Sequence, residues 1–307
     1  MLAAPSAFGS VVLASDNFNS DTVAALNGQS GGTGWAGAWV DGGTVNAQVV
    51  ATGGSDSPMS GNAVRLTGND SAAATRTLAT TVSGNVIVNF DFQFDAGTVT
   101  NNDFMGLWFG SSSGPNIGLK ANCGSGCAAD LFVRTTGSGG SFFQNIAVGT
   151  TYSLMGYLQK TGGSLNYNQF DFWVNPTAFD IANLTGADVF ATGNSGIASF
   201  NQIGFRTVNL ATGDALLIDN LSLSRVPEPG ILALMGLGLA GLALTRRRKS
   251  ARQLSSPIAA PSGAVFVTDG QTADAASLTA TGQPSTFPSA RLPMAGRGQS
   301  RCAMTGQ

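Results

Sequence analysis

The chain has 307 residues, of which 43% are hydrophobic and only 10% are charged, and its formal net charge is −2. It contains no histidine, and Glu228 is its one glutamate, which excludes a His-dependent catalytic triad and leaves zinc hydrolases and paired-glutamate glycosidases without their usual residues. Residues 1–225 hold fourteen aspartates against seven basic residues, so this acidic body is not expected to bind nucleic acid.

The amino end, residues 1–14, is predicted to be the remnant of a secretory signal peptide. Residues 2–14 read LAAPSAFGSVVLA, and Val12-Leu13-Ala14 resembles a small-residue cleavage site before Ser15. The positively charged start of such signals is missing, which a start codon placed too late would explain. The alternative is that this segment forms the first β-strand of the body.

Residues 16–225 are predicted to form β-strands separated by turns. In Asn85–Phe94, apolar and polar residues alternate, so one face of the strand is buried, and Gln169–Val174 repeats the pattern. Further strands are predicted at Val45–Thr52, Met105–Phe109, Leu131–Val133, Thr151–Lys160, Gln202–Thr207 and Ala215–Leu223. Because Gly/Ser/Asn clusters separate them, the pattern predicts an all-β fold, a two-sheet antiparallel jelly-roll sandwich.

Trp35 and Trp39 are the candidate glycan contacts of the first loop. Residues four apart on a strand share a face, and aromatic faces suit sugar rings. The alternative is that the two rings pack the loop onto the sandwich, since large aromatic residues are usually buried. Trp108 and Trp173 lie inside predicted strands and are expected in the core.

Aspartates are the candidate ligands for a calcium ion. They are Asp91, Asp95, Asp103, Asp171 and Asp219. Calcium needs several oxygen ligands on neighbouring loops, and the sequence has no compact D-x-D-x-D loop. No metal ligand and no cofactor are therefore assigned, with calcium as the alternative. Asp219 is expected to accept hydrogen bonds from nearby backbone amides.

Cys123 and Cys127 bracket the flexible turn Gly124-Ser125-Gly126. In an oxidising compartment this pair is predicted to form a disulfide that holds one loop. Its contribution to stability would be small because it closes so little chain. Cys302 lies far from both and has no evident partner.

Four short motifs of the body resemble those of exported concanavalin A-like, laminin-G-like domains. In chain order they are NGQSGGTGWAGAW (27–39), AVRLTG (63–68), WVNP (173–176) and IDN (218–220). The resemblance implies a two-sheet jelly roll of the kind that often binds carbohydrate or forms surface structure. The fold alone does not decide between these roles.

An uncharged run of sixteen residues, Gly230–Thr245, follows the body. It is close in length to the about 17–25 residues of a membrane span. It is preceded by Val226, Pro227, Glu228 and Pro229 and is followed by the basic cluster Arg246, Arg247, Arg248 and Lys249. We predict a single transmembrane helix, with the basic cluster in the cytoplasm and residues 1–225 exported.

Together, VPEP, the apolar run and RRRK (226–249) closely resemble the PEP-CTERM sorting signal of Gram-negative bacteria. The resemblance implies recognition by an exosortase, a membrane cysteine transpeptidase that would cut near Pro227-Glu228-Pro229. It also implies an organism with an extracellular polysaccharide matrix. The predicted localisation is therefore a transient anchor in the inner membrane, followed by the cell surface or the matrix.

Residues 250–307 depart from that family, in which the signal ends the chain. They are rich in Ser, Ala, Thr, Pro and Gly and lack periodicity, so a disordered, low-complexity tail is predicted. We interpret the tail as the product of a frameshift or readthrough, with a functional cytoplasmic tail as the alternative.

These features favour a non-enzymatic protein of the cell surface or matrix, delivered by an exosortase and binding extracellular polysaccharide. One alternative is a dedicated carbohydrate-binding module with one defined glycan and calcium. The other is a polysaccharide hydrolase that uses aspartates only.

Overall fold

The computed structural model describes residues 10–42, 46–52, 59–100, 102–121 and 129–226. In chain order, these residues form β1 (Val11–Asp16), β2 (Ala47–Ala51), β3 (Asn62–Leu66), β4 (Asp70–Val82), β5 (Val86–Ala96), β6 (Phe104–Phe109), β7 (Asn116–Lys120), β8 (Ala129–Arg134), β9 (Ser141–Ile146), β10 (Thr151–Gln159), β11 (Gln169–Val174), α1 (Ala178–Asn183), β12 (Val189–Thr192), β13 (Phe200–Val208) and β14 (Ala215–Arg225). The predicted transmembrane helix and the tail lie outside the described residues.

Two antiparallel sheets pack face to face. The eight-stranded sheet has the order β12-β11-β10-β5-β14-β3-β2, with β1 also paired to β14, and the six-stranded sheet has the order β4-β13-β6-β7-β8-β9. The chain passes between the sheets six times, at β3–β4, β4–β5, β5–β6, β9–β10, β12–β13 and β13–β14, as in a jelly roll. The predicted fold class, a two-sheet antiparallel jelly-roll sandwich, is confirmed.

The core lies between the sheets and follows the predicted alternation. On β5 the side chains of Val86, Val88, Phe90, Phe92 and Phe94 all belong to one buried cluster. Burying an aromatic or aliphatic side chain of this kind stabilises the fold by about 1.5–3 kcal/mol. Within the described part of the chain, no helix is long and apolar enough to cross a membrane.

The sandwich begins at Val11, earlier than the sequence indicates. Strand β1 pairs with the end of β14 from Val11↔Arg225 to Asp16↔Leu221, and Ala14 is fully buried. Residues 11–14 of the predicted signal-peptide remnant therefore lie in a paired strand, and cleavage after Ala14 would remove four of its six residues. The alternative reading, a first β-strand, describes Val11–Asp16.

A buried ion pair joins β1 to β4. The carboxylate of Asp16 lies 2.5 Å from the guanidinium of Arg76, and both side chains are almost completely buried. Asp16 also accepts a hydrogen bond from the indole of Trp39, and the Arg76 guanidinium donates to the carbonyl oxygens of Gly31 and Gly37. The pair thus ties the first loop to both sheets.

We expect Arg76→Met to lower the free energy of unfolding by about 3–5 kcal/mol, because it leaves the Asp16 carboxylate buried without its counter-charge. Chemical denaturation of the full-length protein measures this. The matched control is Arg225→Met at an exposed position of β14, for which a change within about 0.5 kcal/mol is expected. If both variants lost the same free energy of unfolding, the ion pair would have no special role in stabilising the fold.

Candidate functional site

Trp35 and Trp39, the predicted glycan contacts, lie in different environments. Trp39 is fully buried and stacks on Phe205 at 5.6 Å, so it offers no face to a sugar and packs the first loop onto the sandwich instead. Trp35 is partly buried, its ring is tilted by 44° from that of Trp39, and the Arg76 guanidinium lies 4.7 Å from its centre. Trp35 lines a pocket of about 200 Å³ together with Arg76, and its role as a glycan contact stays a prediction.

Trp108 and Trp173 are both buried, but neither belongs to the central core. Trp108 lies on the outer face of the six-stranded sheet. Trp173 lies on the outer face of the eight-stranded sheet, in a small apolar cluster with Ile87, Met155 and Val226.

The candidate calcium ligands do not converge. Asp91 accepts hydrogen bonds from Ser153 and Asn220, and Asp171 from Gln159 and Gln169. Asp103 accepts from the backbone and the hydroxyl of Thr100. Over the described ranges no three acidic or cysteine side chains come together in a way that could hold a metal ion.

Asp219 is the buried aspartate of β14. One carboxylate oxygen accepts the Asn220 amide at 2.6 Å, and the other has no hydrogen-bond partner. Burial raises the pKa of Asp219 to about 7 against the effect of that hydrogen bond, and the nearby Asp91 and Asp16 raise the pKa further.

Of the predicted sorting motif, only Val226 lies within the described residues. Its side chain is 5% exposed, and its amide donates to the carbonyl oxygen of Asn85 at 3.3 Å. The fold therefore extends one residue into the motif. Pro227, Glu228 and Pro229, the basic cluster Arg246–Lys249, and the cysteine pair Cys123 and Cys127 lie outside the described residues.

The strongest candidate site is a basic pocket on the outer face of the six-stranded sheet. Its volume is about 240 Å³. It is lined by Asn102, Phe104, Lys120, Arg134, Gly137, Arg206, Val208 and Asn209. Three of the seven basic residues in 1–225 thus meet at one place in an acidic body.

Phe104 is the aromatic residue among the described residues that line the basic pocket. Phe104 on β6 and Phe132 on β8 pack with ring centres 5.3 Å apart. A side chain at Gly106 would come within 2.8 Å of the Phe104 ring, and one at Gly204 within 2.3 Å of the Trp108 ring. Glycine is therefore required at both positions for these rings to lie against the sheet.

Two arginine side chains lie over the Phe104 ring. The Arg134 guanidinium lies 4.9 Å from the centre of the Phe104 ring, and that of Arg206 lies 5.6 Å from the same centre. Asn116 fixes Arg134 by accepting a hydrogen bond from its Nε at 2.7 Å. Burial, followed by the charge of Arg206, lowers the pKa of Arg134 to about 10.

The cations of the basic pocket have no carboxylate partner among the described residues, where the single ion pair is Asp16–Arg76. The Nε of Arg206 is buried without a hydrogen-bond partner, and so is the Nε1 of Trp108 on the same sheet face. Leaving a buried donor or charge unpaired is costly. An anion bound in the basic pocket would compensate the unpaired guanidinium charges, although it would not reach these two buried atoms.

The sequence did not indicate this site. Arg134, Arg206 and Lys120 lie on three strands whose adjacency depends on the sheet order. Each of the three residues occupies an outward-facing position on its strand. This is the one feature of the sequence from which they could have been selected as candidates.

Comparison with protein families identifies the carboxyl-terminal segment. Residues 225–249 match the model of the PEP-CTERM protein-sorting motif. The predicted resemblance of this segment is therefore confirmed. The motif implies export, a membrane-anchored sorting tail and processing by an exosortase.

The sandwich is similar to several solved structures. It matches alginate lyase Aly36B with 15% identity and a TM-score of 0.41, over 69% of this chain and 97% of that chain. It matches a β-1,3-glucanase from Mycobacterium marinum with 10% identity and a TM-score of 0.41, over 70% and 99%. No curated protein matches the chain. The fold class rests on the sheet topology given above.

Asp219 makes stability depend on pH. Its pKa is about 7 in the fold and about 3.9 in the unfolded chain, so the folded state holds the extra proton between these values. The contribution is fully present below pH 4 and is lost as the pH rises through about 7.

We therefore expect the free energy of unfolding to be roughly 2–4 kcal/mol lower at pH 8 than at pH 4.5 because of this group. Denaturation at both pH values measures the difference, and Asp219→Asn should reduce it. Part of the dependence should remain, since burial also raises the pKa of Asp21 and of Asp103. The control is Asp95→Asn, at a partly exposed position. If the unfolding free energy of Asp219→Asn depended on pH as strongly as that of the wild type, the pH effect could not be assigned to Asp219.

Proposed function

We propose that this exported sandwich binds an acidic extracellular polysaccharide in the basic pocket. The observation that carries the proposal is the convergence of Lys120, Arg134 and Arg206 around Phe104, in a pocket whose described lining residues include no carboxylate. The ligand class is a polymer of sugars that carry carboxylates, such as uronic acids.

The guanidinium groups favour a carboxylate. Arginine presents donors in a planar fork that matches the two oxygens of a carboxylate. Arg134 is held by Asn116 through Nε, which leaves its terminal nitrogens for a ligand, and Arg206 has a buried Nε without a protein partner. Charge-assisted hydrogen bonds of this kind contribute about 1.5–3 kcal/mol each.

The size of the pocket favours a single sugar unit as the carrier of that carboxylate. The Phe104 ring is only 6% exposed and lies beneath both guanidinium groups, so it holds the arginines in place and offers no open face to a sugar. The volume of about 240 Å³ is below the about 300–1,000 Å³ of sites for drug-sized molecules. The basic pocket therefore suits one acidic sugar unit at a time.

We propose a binding role rather than a catalytic one. Glycoside hydrolysis normally uses two carboxylates that flank the scissile bond. The described residues that line the basic pocket supply cations, amides and aromatic rings but no carboxylate. Retention of the protein at the cell surface or in the matrix, after exosortase processing, would place this pocket next to its ligand.

We expect Arg134→Met and Arg206→Met each to weaken binding of a uronic acid polymer at least tenfold, since each removes a charge-assisted contact. Isothermal titration calorimetry of the full-length protein with polygalacturonate, and with dextran as the neutral polymer, measures this. Arg206→Lys should bind with intermediate affinity because it keeps the charge but loses the fork.

The matched control for these variants is Arg65→Met, which removes the same charge from β3 on the other sheet. An equal loss of affinity in Arg65→Met would indicate that the polymer is attracted non-specifically by the charge of the whole protein. Unchanged binding in both pocket variants would overturn the proposed function.

Processing should leave the sandwich intact. Val226 packs with Ile87, Met155 and Trp173, so a cut after Val226 keeps every described residue of this cluster. We expect mature protein from the native host to end between Val226 and Pro229, as measured by intact mass, and to keep the melting temperature of the full chain. A species that still ends at Gln307 in the surface and medium fractions would contradict processing.

A further inference from the structure

We propose that a second cleft, beside the basic pocket, binds further units of the same polysaccharide, so that the protein recognises a chain and not a single sugar. This edge cleft lies between the turn that joins β8 to β9 and the edge strand β12, and its volume is about 870 Å³. The inference rests on the proposed function.

The two sites share a wall. Arg134 lines both of them, Gly137 of the β8–β9 turn lines the basic pocket, and Ser138–Gly140 of the same turn line the edge cleft. A polymer with one acidic unit over Phe104 would therefore reach the edge cleft by passing this turn. The turn is built of Thr, Ser and Gly, which leaves the passage free of large side chains.

The edge cleft offers an exposed aromatic face and several hydroxyl groups. Phe190 on β12 is 58% exposed, which is unusual for a phenylalanine on a strand of this sandwich. The lining residues Thr135, Thr136, Ser138 and Thr192 carry hydroxyl groups. The carboxylate of Asp188, which also lines the cleft, accepts a hydrogen bond from the backbone amide of Val174. An aromatic face beside several hydroxyls can stack on a sugar ring and bond its hydroxyl groups.

The position of Phe190 is fixed before any ligand binds. The hydroxyl of Ser141 on β9 donates to the carbonyl oxygen of Phe190 at 2.5 Å, which joins the edges of the two sheets. Strand β12 also pairs with β11 from Val189↔Phe172 to Thr192↔Gln169. A platform held on both sides loses little conformational freedom on binding.

The test is the dependence of affinity on ligand length. The full-length protein is titrated with galacturonate oligomers of one to six units. For the wild type, affinity should rise with length. In Phe190→Ala, the affinity for the hexamer should fall about three- to tenfold, as expected for the loss of one stacked aromatic ring, while affinity for the monomer stays unchanged.

The matched control is Phe179→Ala, which removes an equally exposed phenylalanine (65%) from α1, outside the edge cleft. Phe179→Ala should bind every oligomer like the wild type. Affinity that is independent of length, or a hexamer affinity that Phe190→Ala leaves unchanged, would overturn the edge cleft and leave the basic pocket standing. Failure of the wild type to bind any oligomer would overturn both proposals.

Exposed Phe190 on an edge strand could instead serve contact with a second copy of the chain. Sedimentation of the wild type and of Phe190→Ala at several concentrations distinguishes the two uses. A monomer in both cases agrees with the glycan site. Self-association that Phe190→Ala abolishes, with no effect on oligomer binding, would replace the glycan site by a dimer contact.

Discussion

The opposite charges of Asp16 and Arg76 meet in the interior of the sandwich, and the position of the amino-terminal segment depends on them. Arg76 comes from β4 of the six-stranded sheet and Asp16 from β1 of the eight-stranded sheet, so the pair bridges the two layers. The guanidinium also binds the carbonyl oxygens of the first loop and lies over Trp35. The loop is therefore held by the burial of Phe18 and Trp39 in the core together with these charged and hydrogen-bonded contacts.

The outer face of the six-stranded sheet shows the opposite arrangement, in which charges gather without being paired. Here Arg134 and Arg206 share the ring of Phe104, and a glycine at position 106 lets that ring lie across the strand. Inside the sandwich a single arginine is matched by a carboxylate, whereas the described residues that line the basic pocket include no carboxylate. Arginine thus stabilises the fold at position 76, through an ion pair, whereas at position 134 its charge is left for the proposed anionic ligand.

Local sequence patterns predicted most of the eight-stranded sheet, because period-two alternation is a local property. The inward residues of β5 and β11, such as Phe90 and Phe172, were identified from alternation alone. Strand β1 was predicted only as an alternative, because its apolar residues also fit a secretory signal, and its pairing with β14 could not be inferred from a local pattern. The basic pocket could not be predicted, since Arg134 and Arg206 are brought together only by the strand order β13-β6-β7-β8. Exposure of Phe190 likewise depends on its edge position.

The strand registers also place the basic pocket relative to the sorting motif. The chain leaves the sandwich at Val226, beside Asn85 and the start of β5. The β4–β5 turn lies at this end, where Val82 pairs with Phe200. From there β13 runs for nine residues, about 26 Å, to Val208, which pairs with Phe104 at the rim of the basic pocket. The rim that Val208 and Phe104 form thus lies at the opposite end of β13 from the point where the chain leaves the sandwich.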